Sequence, residues 1–202
     1  MRPLLMVDVD GVISLFGVPR QGDRQAPPRG SLHSVDGMVH FLSATAAAHL
    51  LELSQMYELV WASGWEERAE EHLPRLLGLP AGLPYLSFDR EPGASGAHWK
   101  LEAIERFARR RALAWVDDCF NEACHRWAAG RESPTLLVAT DPRHGLTARE
   151  TDRLRGWAAA LEGLRPGQDV PARAGAQPAG AGATGTGGAG GRAATASETA
   201  AP

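Results

Sequence analysis

The chain has 202 residues, 44% of them hydrophobic and 22% charged, with a formal net charge of -3. It is long enough for one substantial core and a tail, and its charge lacks the global basic footprint that announces a nucleic-acid binder, although a local patch is compatible with it. Met1-Arg2-Pro3 leads straight into apolar residues without a signal-peptide pattern, and no apolar run approaches membrane-span length. Cys119 and Cys124 stand five apart with no second cluster, which fits neither a zinc site nor a disulfide framework and points to a reducing, cytoplasmic setting.

Leu4-Leu5-Met6-Val7 reads as a buried strand that ends abruptly in Asp8-Val9-Asp10-Gly11. Residues two apart on a strand share a side, so Asp8 and Asp10 are expected to project together where the strand meets its loop. A buried strand pays heavily for carboxylates that are neither paired nor metal-bound. A cation is the simplest reason for two of them; a strand cap, with Asp accepting backbone N–H bonds, is the alternative.

Residues 12–34 change character: Val12 to Phe16 has the makings of a short strand, and Gly17, Pro19, Gly22, Pro27, Pro28 and Gly30 interrupt the chain beyond it. With Arg20, Asp23, Arg24 and Arg29, this stretch is expected to be an exposed flap beside the aspartates. Val35, Met38, Val39, Phe41, Leu42, Ala46, Leu50 and Leu53 recur at helical spacing, which predicts a helix over 35–54. Leu59-Val60-Trp61-Ala62 is a second buried strand ending at Ser63-Gly64, and a charged amphipathic helix is expected from Glu66 to Leu77. Tyr85 to Phe88 is a candidate third strand.

His98-Trp99-Lys100 opens a helix running to about Arg111. Arg109-Arg110-Arg111 suits the negative end of that helix, the alternative being RNA contact. Leu113 to Val116 is a fourth strand ending in Asp117-Asp118, followed by a helix from about Asn121 to Ala129. Thr135 to Thr140 is a fifth strand. Thr147-x-x-Glu150 fits a capping box, and the last helix carries Leu154, Trp157, Ala158 and Leu161. From Pro166 to Pro202, Ala, Gly, Thr and Pro dominate and Val170 is the sole large aliphatic residue. A domain over 1–164 with a disordered tail over 165–202 is therefore expected.

Alternation of apolar strands with helices predicts an α/β fold: a doubly wound, three-layer, mainly parallel sheet of five strands with a short flap and no large cap. In such sheets ligands gather at the carboxyl ends of the strands. Asp8/Asp10, Ser63-Gly64, Lys100 and Asp117/Asp118 all sit where that rule wants them.

The order Asp-x-Asp-Gly, Ser, Lys, Asp-Asp resembles the four motifs of the haloacid dehalogenase (HAD) superfamily, over roughly residues 4–162. Val60-Trp61-Ala62-Ser63-Gly64-Trp65, Trp115-Val116-Asp117-Asp118 and Gly145-Leu146-Thr147 are similar to a narrower group, the HAD domains of "Swiss Army knife" RNA-repair proteins. The resemblance implies a phosphatase. Asp8 would take the phosphoryl group as nucleophile, and Asp10 would act as general acid and then base. Dehalogenases of the superfamily lack that second Asp. Ser63, with the N–H groups from Gly64 onward, would bind phosphoryl oxygens. Lys100 would hold the charge of Asp8 and of those oxygens. Asp8, the Asp10 carbonyl, Asp117 and Asp118 would complete a Mg²⁺ site, Asp118 ligating directly, Asp117 in support and Glu122 a helix-start residue.

Electrostatics favours a metal on its own account, since two carboxylates about 4 Å apart repel by ~4 kcal/mol at an effective dielectric of about 20. The absence of a large cap implies a large phosphorylated substrate, such as a nucleic-acid end or a phosphoprotein. A non-catalytic phospho-ligand or partner module on the same fold is the alternative function. A signalling receiver fits less well, because Lys100 precedes the acidic pair. Trp65 is expected either to stack a ring at the site mouth or to pack the helix start. His98 and His144 are weaker substrate contacts; His33, His40, His49, His72 and His125 show no ligand spacing.

Overall fold

A computed structural model of the chain describes residues 2–17, 28–89 and 96–163. The expected tail over 165–202, its boundary, and Arg20, Asp23 and Arg24 of the expected flap lie outside the described residues.

Four parallel strands form the central sheet: β1 (Leu4–Val7), β5 (Glu58–Trp61), β6 (Leu113–Asp117) and β7 (Thr135–Ala139), in the order β5-β1-β6-β7. β1 sits between two neighbours, with Val7 opposite Trp61 on one side and Val116 on the other, so the acids that follow β1 and β6 emerge side by side. Every residue of β1 and β6 is buried, as a sheet covered on both faces requires. Alternate residues feed separate cores. Leu5, Val7, Ala114 and Val116 pack under α1 (Ala44–Leu53), α2 (Glu67–Leu77) and α5 (Ala148–Gly163). Leu4, Met6, Leu113 and Trp115 pack under α3 (Leu101–Ala108) and α4 (Glu122–Gly130). The doubly wound α/β architecture is thus present.

Among the described residues the sheet has four strands rather than the expected five. The Tyr85–Phe88 stretch contributes a single bridge, Tyr85 to Trp61. Pro84 has no N–H to give a ladder, and the Phe88 N–H goes to the Glu66 carboxylate at 2.9 Å.

The expected helix over 35–54 is also corrected. Its first part is β4 (Met38–Ser43), which pairs antiparallel with β3 (Gly30–Val35) and with the two-residue β2 (Ser14–Leu15) in a separate sheet of order β2-β4-β3. Asp36 and Gly37 both have positive φ, 49° and 80°. That is the backbone of a two-residue hairpin turn whose twist suits the flanking strands, and Asp-Gly is its favoured sequence. The helix begins only after Ser43, whose hydroxyl accepts the Ala46 N–H at 3.1 Å as N-cap. Among the described residues the flap is therefore a three-stranded antiparallel sheet reaching to residue 43, with nothing larger inserted.

Half of the expected capping box is made: the Glu150 carboxylate accepts the Thr147 N–H at 3.2 Å, while the Thr147 hydroxyl donates to that same carboxylate instead of accepting the Glu150 N–H. Among the described residues, no helix is long and apolar enough to cross a membrane.

Leu50 of α1 is fully buried against the sheet. Leu50→Ala is expected to destabilise the fold by about 2–5 kcal/mol, the usual toll of a leucine-to-alanine cavity. Urea unfolding followed by circular dichroism measures it.

Candidate active site

β1 ends at the carboxyl edge of the sheet but stays tied to it, because the Asp8 N–H donates to the Val116 carbonyl at 3.0 Å. The chain then turns tightly, with the N–H groups of Ile13 and Ser14 both meeting the Val9 carbonyl, at 2.8 and 2.9 Å. Gly11, at φ +70°, makes the turn possible; a Cβ there would stand 2.3 Å from Asp118 Cγ. The carboxylates of the first and fourth motifs are this close only because residue 11 has no side chain.

Lys100 closes the 3-10 turn Ala97–Lys100 that leads into α3. Its side chain is 3% exposed, and its Nζ lies 2.7 Å from Asp8 Oδ2 and 2.7 Å from Asp117 Oδ2. The Trp99 ring lies below the same ammonium, 5.3 Å from it. Asp8 Oδ1 accepts the Val9 N–H at 2.8 Å, and Asp117 Oδ1 accepts the Cys119 N–H at 3.0 Å. Thr140, just past β7, binds the two acid-bearing loops together: its hydroxyl donates to the Gly11 carbonyl at 2.9 Å and its N–H to the Asp117 carbonyl at 3.2 Å.

Asp8, Asp117 and Asp118 offer carboxylate oxygens that all lie within 4.8 Å of one another. With Asp10, Gly64, Trp99 and Lys100 they line a cavity of about 180 Å³. Burial and the Asp8 charge raise the carboxyls of Asp10 and Asp118 above the ordinary range, and push Asp117 up to about 7 against the opposing pull of Lys100. Burial pulls the Lys100 ammonium down, but Asp8 and Asp117 outweigh it and raise its pKa. Four carboxyls and one ammonium make a site short of positive charge, and an all-oxygen donor set suits a hard divalent cation.

The sequence-derived residues thus converge, with one qualification. Gly64 lines the cavity, while Ser63 is buried beside it with its Oγ accepting the Trp65 N–H at 3.3 Å. Trp65 packs in the core, as the second of its two expected roles has it, and its Nε1 also donates to Asp10 Oδ2 at 3.1 Å. His98 pairs with the Asn121 side chain at 2.8 Å, and His144 sits 3.6 Å from Asp141. Glu122 starts α4 and reaches out to Arg126 at 3.6 Å. Thr140 and the Cys119 N–H carried no signal in the sequence, because each acts through backbone geometry that only the fold creates.

A doubly wound parallel sheet with acids at the ends of two neighbouring strands, bridged by a buried lysine from the helical segment that precedes the second of them, defines a hydrolase domain of the HAD superfamily. Residues 4–151 match the family described as the HAD domain in Swiss Army Knife RNA repair proteins, and the chain belongs to that family. No curated protein matches the chain.

This geometry can be probed by substitution and by pH. Gly11→Ala forces a side chain into both the left-handed region and Asp118, and is expected to cost about 1–3 kcal/mol of stability in urea unfolding. Asp117 has its pKa raised by folding from 3.8 to about 7. The native state then holds more protons than the unfolded chain across that interval, so the stability this group contributes is present below the unfolded value and lost as pH rises through about 7. Metal-free protein, kept in chelator, is expected to unfold at progressively lower urea as pH is raised over that range, and a divalent cation is expected to flatten the trend.

Proposed function

We propose that the chain is a Mg²⁺-dependent phosphohydrolase that works through an aspartyl phosphate and acts on the phosphorylated ends of nucleic acid. The observation that carries this reading is the Lys100 ammonium held 2.7 Å from both Asp8 and Asp117 at the ends of adjacent strands. It fixes a nucleophilic carboxylate in place without consuming it: each oxygen of Asp8 gives one lone pair to a neighbour and keeps another.

In this mechanism an oxygen of Asp8 attacks phosphorus as the bond to the leaving oxygen breaks. Asp10 delivers its proton to that oxygen, and the raised pKa that burial gives it favours the protonated form such an acid needs. Asp10, now a carboxylate, takes a proton from the water whose oxygen attacks phosphorus, which releases inorganic phosphate and restores Asp8. The Ser63 hydroxyl has an acceptor site engaged by the Trp65 N–H and retains its proton to donate to a phosphoryl oxygen. The Gly64 N–H group and Lys100 share the remaining phosphoryl charge. Asp8, the Asp10 carbonyl, Asp117 and Asp118 would hold Mg²⁺, which supplies charge neutralisation to phosphoryl oxygens. In this reading Asp118 is the direct ligand and Asp117, oriented by Lys100 and the Cys119 N–H, is its support.

The nucleic-acid end is supported by the family, whose description places this domain in RNA repair proteins, and by a flap too small to enclose the site in the manner of a large cap. The working compartment in this reading is the cytoplasm, where Cys119 and Cys124 remain the free thiols they are here.

The test is phosphate release from an aryl phosphate and from RNA oligonucleotides bearing 5′ or 3′ phosphates. Activity is expected to need Mg²⁺ and to vanish in Asp8→Asn. Asp10→Asn is expected to slow alkyl leaving groups by about 10²–10⁴-fold, in the range typical of a lost general acid, and good aryl leaving groups far less. Full activity in Asp8→Asn excludes the aspartyl phosphate.

A further inference from the structure

A second cavity, of about 170 Å³, adjoins the first and shares two of its walls, Asp10 and Gly64. Its other walls come from the hairpin of the flap and from the segment that opens α2. The hairpin supplies Val35, Met38 and His40, which lie on one face of the β3–β4 pair, since Val35 is directly opposite Met38 and His33 opposite His40. The other side supplies Trp65 and Arg68.

We infer that this cavity is the leaving-group subsite, and that it selects a phosphoester whose alcohol carries a flat ring, such as a phenol or a nucleoside, over an acyclic alcohol. The inference rests on the assignment of Asp10 as the acid. The group that Asp10 protonates is the leaving oxygen. Asp10 stands at the junction of the two cavities, and Asp8, Lys100, Asp117 and Asp118 line only the first. The phosphoryl group belongs among those charges, so the body of the alcohol extends to the other side of Asp10.

The walls there state what fits. Val35 and Trp65 are buried apolar surfaces, and Met38 is a pliable thioether at the open side of the hairpin, 59% exposed. Aromatic faces and thioethers both make favourable ring contacts. The Trp65 indole cannot swing to suit a ligand: its N–H holds Asp10 and its ring meets His40 edge-on at 4.7 Å, while Ser14 Oγ lies 3.0 Å from His40 Nδ1. The subsite is therefore preorganised, which spares a ligand the ordering cost of its walls. At the rim, Arg68 and Asp36 form a solvent-exposed pair at 3.4 Å, while the same guanidinium donates to the Gly64 and Trp65 carbonyls at 3.2 and 3.3 Å. An exposed pair of this kind is weak enough to be exchanged for a hydroxyl or an anion on the ligand.

The experiment measures binding without turnover. Calorimetry on the Asp8→Asn protein with Mg²⁺ compares phenyl phosphate and adenosine monophosphate with methyl phosphate and glycerol phosphate. The ring-bearing esters are expected to bind about tenfold or more tightly than the acyclic ones, as one stacked ring allows. Met38→Gln, a change of similar size at an exposed position, is expected to cut that ratio to about threefold or less. Equal binding of both classes overturns the subsite, and so does a ring preference that Met38→Gln leaves intact. Binding of this pattern in a protein whose unsubstituted form releases no phosphate would retain the subsite and sink only the hydrolytic reading.

Discussion

The charge on Lys100 is the constraint around which the rest of this molecule is arranged. An ammonium at 3% exposure survives only if paired, and it is paired twice, with carboxylates that reach it from adjacent parallel strands. Removing one partner of such a buried set strands the others, a loss of about 3–5 kcal/mol in typical cases. The site is therefore part of the fold rather than an addition to it. β1 and β6 must be neighbours, in this register, for Asp8 and Asp117 to share one cation. The 3-10 turn before α3 must also lie over the same strand ends.

The cluster remains electrostatically incomplete even so. Burial and mutual repulsion raise the carboxyls of Asp10, Asp117 and Asp118 together, and one lysine does not cancel them. Proteins seldom keep such an arrangement for stability, because replacing buried ions with apolar groups is often neutral or better. The excess negative charge makes sense as a receptacle for a cation and, through that cation, for an anionic substrate. The same excess gives the inward-pointing N–H groups of Val9 and Cys119 their acceptors, on Asp8 and Asp117.

Much of this was legible in the sequence, for identifiable reasons. β1 is wholly apolar, and β5 and β6 are apolar except for Glu58 at the start of one and Asp117 at the end of the other, a pattern that leaves a doubly covered parallel sheet as the natural solution. Asp8 and Asp117 stand at abrupt apolar-to-charged transitions, so their place at strand ends could be read directly, and Lys100 stands where the apolar periodicity of a helix begins. The flap misleads at that level, because Val35, Met38, Val39, Phe41 and Leu42 fall at helical spacing over so short a window. The deciding signal is the Asp36-Gly37 pair, which favours a hairpin turn over a helix start. Tyr85–Phe88 has strand-like composition, but Pro84 and the pull of Glu66 on the Phe88 N–H leave it one bridge. The link from Trp65 to Asp10 spans 55 positions, and no local pattern encodes a partner at that distance. Thr140 is invisible for the same reason, its hydroxyl meeting a carbonyl 129 residues away.

Thr140 also bears on how this family can drift. One short side chain and its own amide fasten together the loops after β1 and β6, while the empty space at Gly11 is filled by the carboxylate of Asp118. Positions 11, 118 and 140 thus form one interlocked unit scattered across the gene. A lineage that enlarges residue 11 must shorten or redirect residue 118 at nearly the same time, and one that loses the hydroxyl at 140 loosens both loops at once. Such a trio is expected to be inherited as a block, with change concentrated instead along the outward face of the hairpin, where Leu32 and Val39 lie open to solvent.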